Sequence, residues 1–435
     1  MKQFLFLFFQ VWFTLNAAQA GSLLDYLKQF PEVEDIQEMT PNSFFTEAVQ
    51  VKLRQPFDHT RPESGTFLQR VFISVRQPDA PVVLVTEGYT AGYGANQGYL
   101  NELCPILSSS QVVVEHRYFG QSWPIPVDWQ YLTVENAAGD HHRVVRLLKP
   151  YLTGSWVNTG ISKGGQTALL HRVFYPEDVD VSVSYVAPFN FGVEDGRHEP
   201  YIKKVVGTKS QRKKVEEFQK EVLKRRATLM PMFRKLVEEK QYTFNAGLDE
   251  IYDFCVLEYS FAFWQWGTDP GQIPSTKATD EVVFAHFIKI SSPDYFSLEG
   301  LERIGSFFVQ AARELGYYGY DTRPFRRMLT IKTAENYLER LFLPEGYSTE
   351  FDETSVLKTK AFLETTDARM IFIYGGNDPW TASGIIPPAR ENFLRIVQPG
   401  ASHGIRISGL DEYNKRMVTD KLMEWVSIPE MAGYN

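Results

Sequence analysis

Apolar residues fall along this chain in two kinds of pattern. Short apolar-rich runs with many Val, Ile and Phe residues occupy 51–57, 67–75, 81–86, 111–115, 156–159, 179–186, 369–374 and 394–397. Runs of this length bounded by Gly, Pro and polar turn residues predict strands. Between them, 135–152, 165–170 and a last segment carrying Tyr413, Met417, Leu422 and Trp425 on one face predict helices. The strands at 51–57 and 67–75 are joined by a polar turn around Arg61-Pro62-Glu63-Ser64-Gly65. From the strand at 179–186 to the one at Met370 lie about 180 residues, where an α/β connection normally takes a handful. That excess predicts a separate, mainly helical unit. Within it, 211–240 is amphipathic with a break near Pro231, and 301–316 and 333–342 predict two more helices. An aromatic-dense stretch, 254–267, lies between the first of these and the others.

Composition narrows the class. With 435 residues, 43% of them hydrophobic and 14% aromatic, the chain can bury a large core and is long for one domain. A net charge of −8 with no basic stripe speaks against nucleic acid as a partner. Lys2, an apolar run over 4–15 and then Ala18-Gln19-Ala20 predict a cleavable signal peptide over 1–20, so the mature chain is expected to start near Gly21 in a secreted or periplasmic location. Glycine at the position after the cut gives no lipoprotein anchor, and no later stretch reaches the ~18 apolar residues of a membrane span. Two cysteines, Cys104 and Cys255, make no disulfide framework, although an exported chain could join them in one bridge. No Cys/His cluster has metal-ligand spacing, and the adjacent His141 and His142 would point different ways from a helix.

The chemistry begins at Gly160-Ile161-Ser162-Lys163-Gly164, a G-x-S-x-G turn between a strand-like and a helix-compatible run. Such a turn exposes a serine Oγ at the top of a sheet. A serine hydroxyl needs a general base, and that base needs an orienting acid. Asp378 stands at the end of the strand at 369–374, and His403 lies in a Gly-flanked loop after the strand at 394–397. Ser162, Asp378, His403 is the chain order of an α/β-hydrolase triad. Read singly, Asp378 could merely cap the turn before Pro379 and His403 could be a surface histidine. Two backbone N–H groups should hold the oxyanion: Lys163, after the serine, and Tyr89, in the Gly-rich loop Glu87 to Gly94 that follows the strand at 81–86. The expected fold is α/β: an α/β-hydrolase domain in two parts, 21–190 and 366–435, with a helical cap over 191–365 inserted before the strand that carries Asp378.

Four segments together resemble a family: Glu115-His116-Arg117-Tyr118-Phe119-Gly120-Gln121-Ser122, the serine turn through Gly165, Cys255-x-x-Glu258-Tyr259 with the aromatics after it, and Gly376-Asn377-Asp378-Pro379-Trp380. They are similar to the proline-directed serine peptidases that include lysosomal prolylcarboxypeptidase, and closer to the secreted bacterial prolyl tri-/tetrapeptidyl aminopeptidases. The lysosomal branch usually carries Tyr-Gly-Gly where this chain has Lys163-Gly164-Gly165. The resemblance implies a cofactor-independent enzyme that removes short peptides from free N-termini, often after proline, with the triad on Ser162, Asp378 and His403. An aminopeptidase needs an acidic group to hold the substrate's α-ammonium; Glu258 is the first candidate and Glu115 the second, each also readable as half of a structural ion pair. Tyr259, Trp264 and Trp266 are candidates to pack the proline ring. A lipase or esterase whose insert is a lid, and a non-catalytic binding protein on the same scaffold, are the competing readings. Chromogenic peptide and ester substrates separate them.

Overall fold

The computed structural model describes residues 22–426. The expected signal peptide lies outside the described residues. Nine strands form one sheet: β1 (Val33–Glu38), β2 (Glu47–Pro56), β3 (Thr66–Val75), β4 (Val82–Thr86), β5 (Ser110–Val114), β6 (Trp156–Ile161), β7 (Val181–Tyr185), β8 (Arg369–Gly375) and β9 (Phe393–Gln398), in the order β1-β2-β3-β5-β4-β6-β7-β8-β9. The first three are antiparallel, and β3 pairs antiparallel with β5. From β5 across to β9 every pairing is parallel. Uninterrupted apolar runs are what a parallel strand covered on both faces requires. Val82 and Leu84 pack to one side and Val83 and Val85 to the other, each into its own core.

Helices α1 (Leu23–Leu27), α2 (Leu103–Leu107), α3 (Val134–Leu148) and α4 (Lys163–Phe174) accompany the first seven strands. Between β7 and β8 every regular element is helical: α5 (His198–Lys204), α6 (Lys209–Lys224), α7 (Arg226–Lys240), α8 (Leu248–Gln265), α9 (Asp280–Ile290), α10 (Leu298–Gln310), α11 (Tyr337–Phe342) and α12 (Thr354–Thr365). A final helix, α13 (Glu412–Val426), returns to the sheet, where Val418, Leu422 and Trp425 join the core. The topology, mixed at one edge and parallel through the centre with helices on both faces, is that of an α/β-hydrolase.

Some sequence expectations are corrected. The break in 211–240 falls at Arg225, not at Pro231, which sits exposed inside α7. Arg225 sets the joint because its guanidinium is tied to Glu221, Asp280 and the Ala278 carbonyl. Tyr413 is 77% exposed and does not belong to the apolar face of α13. The aromatic stretch 254–267 is most of one long buried helix, α8. Cys104 and Cys255 are both buried and unbridged.

The junction of β6 and α4 rests on a backbone approach that only glycine permits. A Cβ on Gly160 would lie 2.2 Å from the Gly164 carbonyl carbon and 2.7 Å from Thr86 O. Neither neighbour is a flexible side-chain end. Gly160→Ala is therefore expected to cost about 3 kcal/mol or more of stability, or to prevent folding. Thermal unfolding of the purified variant checks this, and an unchanged melting temperature would refute it.

Candidate active site

Ser162 is the single residue between β6 and α4, at φ 56° and ψ −122°. A non-glycine residue so placed carries roughly 1–3 kcal/mol of strain and persists only where its surroundings hold it. Here its N–H donates to Tyr185 O (2.8 Å) and its carbonyl accepts from Gln166 N–H (2.9 Å). The strain aims Ser162 into a cavity of about 380 Å³.

Asp378 follows β8 and does two things. Its Oδ1 accepts the Trp380 N–H (3.1 Å), capping the turn Pro379–Ser383, and its Oδ2 accepts from His403 Nδ1 (2.6 Å). Both residues are buried. With Nδ1 as the donor, Nε2 is left as the nitrogen that can take a proton from serine. No hydrogen bond joins Ser162 Oγ to His403 among the described residues; such contacts often tighten only when substrate is bound. The His403 loop is held by the cap: its N–H donates to Gln265 O (2.9 Å) at the end of α8, and the Trp266 ring stands edge-on to the imidazole at 5.9 Å.

The loop after β4 lies against the first turn of α4. A Cβ on Gly88 would be 2.6 Å from Lys163 Cβ and 2.7 Å from Gly164 N, so glycine alone fits. The Tyr89 ring lines the cavity, and its N–H has no acceptor among the described residues. The N–H of Lys163, first residue of α4, is one of the donors a helix start leaves free. These two N–H groups are the expected oxyanion donors. The Lys163 side chain is buried and runs back to donate from Nζ to Gly88 O at 2.7 Å.

The remaining candidates separate by position. Glu258 and Trp266 line the same cavity as Ser162. Glu258, Ala262 and Gln265 face it together, at i, i+4 and i+7 of α8. Tyr259 and Trp264 point elsewhere. Tyr259 packs on Phe218 and hydrogen-bonds His286 through its hydroxyl (2.9 Å), and Trp264 is buried beside a different cavity. Glu115 is also outside the cavity. Its carboxylate is wholly occupied by Arg70, Thr90, Ser122 and the N–H groups of Ala91 and Gln121, which makes it an internal tie. The structure adds Tyr318 and Trp380 to the cavity wall. Trp380 belongs to the Asp378-Pro379-Trp380 segment, but Tyr318 carried no sequence signal, because it reaches the site only by stacking on Phe261 of α8 (3.7 Å between rings).

Glu258 differs from most of the buried carboxylates, and from Glu314, which also lacks an ion-pair partner among the described residues but accepts the Val134 N–H outside this cavity. Asp140 has Arg117, Asp253 has Arg226 and Glu115 has Arg70. Glu258 has no cationic partner among the described residues and accepts only from the hydroxyls of Tyr318 and Tyr320, both at 2.8 Å. Burial pushes its pKa up to about 7, against the opposing pull of those two hydroxyls.

Comparison with known proteins places the chain in a family. A curated relative, prolyl tri/tetrapeptidyl aminopeptidase of Streptomyces mobaraensis, is 29% identical over 428 residues, covering 96% of this chain and 88% of the relative. Lysosomal Pro-X carboxypeptidase of Bos taurus is 21% identical over 424 residues, covering 83% and 84%. Solved structures that align over most of the chain are distant: proline iminopeptidase of Mycobacterium smegmatis matches at 12% identity and TM-score 0.38 over 86% of this chain and 98% of that one. The family model for PS-10 peptidase S37 matches residues 17–432. By that match the chain belongs to the S37 family of serine peptidases.

Proposed function

We propose that this peptidase is an exported aminopeptidase that releases tri- or tetrapeptides from free N-termini, cleaving after proline, by way of an acyl-enzyme on Ser162. The observation that carries this reading is the uncompensated carboxylate of Glu258 in the cavity that Ser162 enters. A buried carboxylate without a cation is costly, and a substrate ammonium supplies the missing charge. The name of the Streptomyces relative points the same way. Lys2, the apolar run over 4–15 and Ala18-Gln19-Ala20 support export.

In the proposed cycle His403 Nε2 takes the Ser162 proton as Oγ attacks the prolyl carbonyl. The oxyanion is held by the N–H groups of Tyr89 and Lys163, and the imidazolium by Asp378. His403 then protonates the departing amine, and a water hydrolyses the acyl-enzyme by the same steps. The proline ring packs among Trp266, Tyr318 and Trp380. A preference for a free terminus follows from the placement of Glu258 and Ser162 on the wall of one cavity.

Ser162→Ala is expected to lower kcat about a million-fold with the fold intact, His403→Ala comparably and Asp378→Asn about ten-thousand-fold. Circular dichroism and kinetics on X-X-Pro anilides and p-nitrophenyl esters check this. More than about a percent of residual activity in Ser162→Ala places the nucleophile elsewhere, and turnover of p-nitrophenyl esters without cleavage of any X-X-Pro anilide by the wild type favours the esterase reading.

The preference for free over N-acetylated X-X-Pro substrates should depend on pH. It is expected to rise as Glu258 ionises near pH 7 and to fall again as the substrate amine deprotonates near pH 8. Glu258→Gln should flatten the profile and remove most of the preference. The same raised pKa means that Glu258 contributes stability below its unfolded value of roughly 4.3 and loses it as pH rises through about 7. Glu258→Gln should therefore gain melting temperature relative to wild type between pH 5 and pH 8. A preference unchanged in Glu258→Gln rules out this anchor, and equal cleavage of both substrates by wild type rules out an aminopeptidase.

A further inference from the structure

Lys163 holds a position where a lysine is hard to explain by packing. It is 2% exposed, and its ammonium-bearing end has one hydrogen-bond partner, the Gly88 carbonyl. The Tyr89 and Phe119 rings stand 5.7 and 5.2 Å from Nζ. Burial pushes its pKa well below the ordinary lysine range, with Glu87 opposing. An apolar side chain of similar length would fill the space without the desolvation cost of an amine.

What the amine touches explains it. Gly88 O belongs to the peptide unit whose N–H is that of Tyr89. In a planar trans peptide the C=O and N–H point in opposite directions. A donor fixed on Gly88 O therefore fixes the direction of the Tyr89 N–H. It also draws electron density toward the carbonyl, which makes that N–H a better donor. An amine can donate this bond whether or not it carries a proton charge. The contact is reinforced below by the Lys163 stem itself, against which Gly88 is packed too closely for any other residue.

We propose that the Lys163 side chain is a positioning residue for the oxyanion hole, setting the Gly88–Tyr89 peptide so that its N–H faces the tetrahedral intermediate formed on Ser162. One residue then serves the hole twice: its own backbone N–H is one donor, and its side chain aims the other. This rests on the Ser162 acyl-enzyme reading, and it gives the Lys163 side chain a role apart from that of its backbone N–H.

The test compares Lys163→Met with wild type. Lys163→Gln, one atom too short for Gly88 O, serves as a second variant should Met cost the fold; melting temperatures show which folds. Three probes are used: a tripeptide ending in prolinal, whose hemiacetal with Ser162 carries the oxyanion; the matching prolinol, which forms none; and a fluorophosphonate without any peptide part. Expected are a 10- to 100-fold fall in kcat with KM within threefold, an equal weakening of prolinal inhibition, unchanged prolinol inhibition and a comparably slower fluorophosphonate labelling rate. Prolinal and prolinol weakening together, or neither weakening with labelling unchanged, overturns the proposal. A wild-type enzyme that labels with the fluorophosphonate but takes no X-X-Pro substrate overturns the aminopeptidase reading instead, and the labelling rates still decide the role of Lys163.

Discussion

A backbone that passes from strand to helix through one residue can do so only where nothing stands in its way. At Ser162 that clearance is made by Gly160 and Gly164, whose backbones meet closer than any Cβ would allow, with Thr86 of the neighbouring strand at the same contact. The left-handed conformation of Ser162 is the consequence, and the sheet holds it through Tyr185. The loop after β4 docks on the same turn through Gly88. The Ser162 turn, the start of α4 and the loop after β4 are thus one packed unit, and each depends on the glycines of the others.

The helical insertion is coupled to this unit at several points. The end of α8 accepts the His403 N–H, and Gly267 abuts Ser402. Tyr201 of α5 donates to Gly376 O, while Asn377 accepts the Gly207 N–H. These contacts tie the loops carrying Asp378 and His403 to the helices that carry Glu258. A peptide measured from its N-terminus at Glu258 would therefore be measured against a fixed reacting centre, since the ruler and the chemistry share one rigid set of hydrogen bonds.

Electrostatics divides the buried carboxylates by purpose. Those paired with arginine, such as Asp140 and Glu115, hold segments together and have no capacity left for a ligand. Glu258 is held by neutral phenols, which support a carboxylate without neutralising it. Lys163 is the complementary case, a buried amine whose one hydrogen-bond acceptor among the described residues is a carbonyl. Glu258 and Lys163 both line the Ser162 cavity. Glu314, also buried without an ion pair among the described residues, lies outside it, so burial of an unpaired group points to a site only together with its position.

Local sequence patterns were enough for the parts of this protein governed by local rules. Apolar-rich runs marked eight of the nine strands, nearly continuous in central strands such as β4, which are buried on both faces, and alternating with polar residues in β2; β1, polar and mostly unburied, gave no such signal. The G-x-S-x-G turn and the positions of Asp378 and His403 on strand ends were legible because their backbone demands are local. Which residues of α8 see the cavity was legible only in part. Aromatic density picked out Tyr259 and Trp264 with Trp266, but a helix turns 100° per residue, and packing against α6 and α9 directs the first two away from the site. Glu115 and Glu258 are the same residue type in two motif segments. Tertiary structure alone distinguishes them, by bringing Arg70 from β3 to one and, among the described residues, the hydroxyls of Tyr318 and Tyr320 to the other.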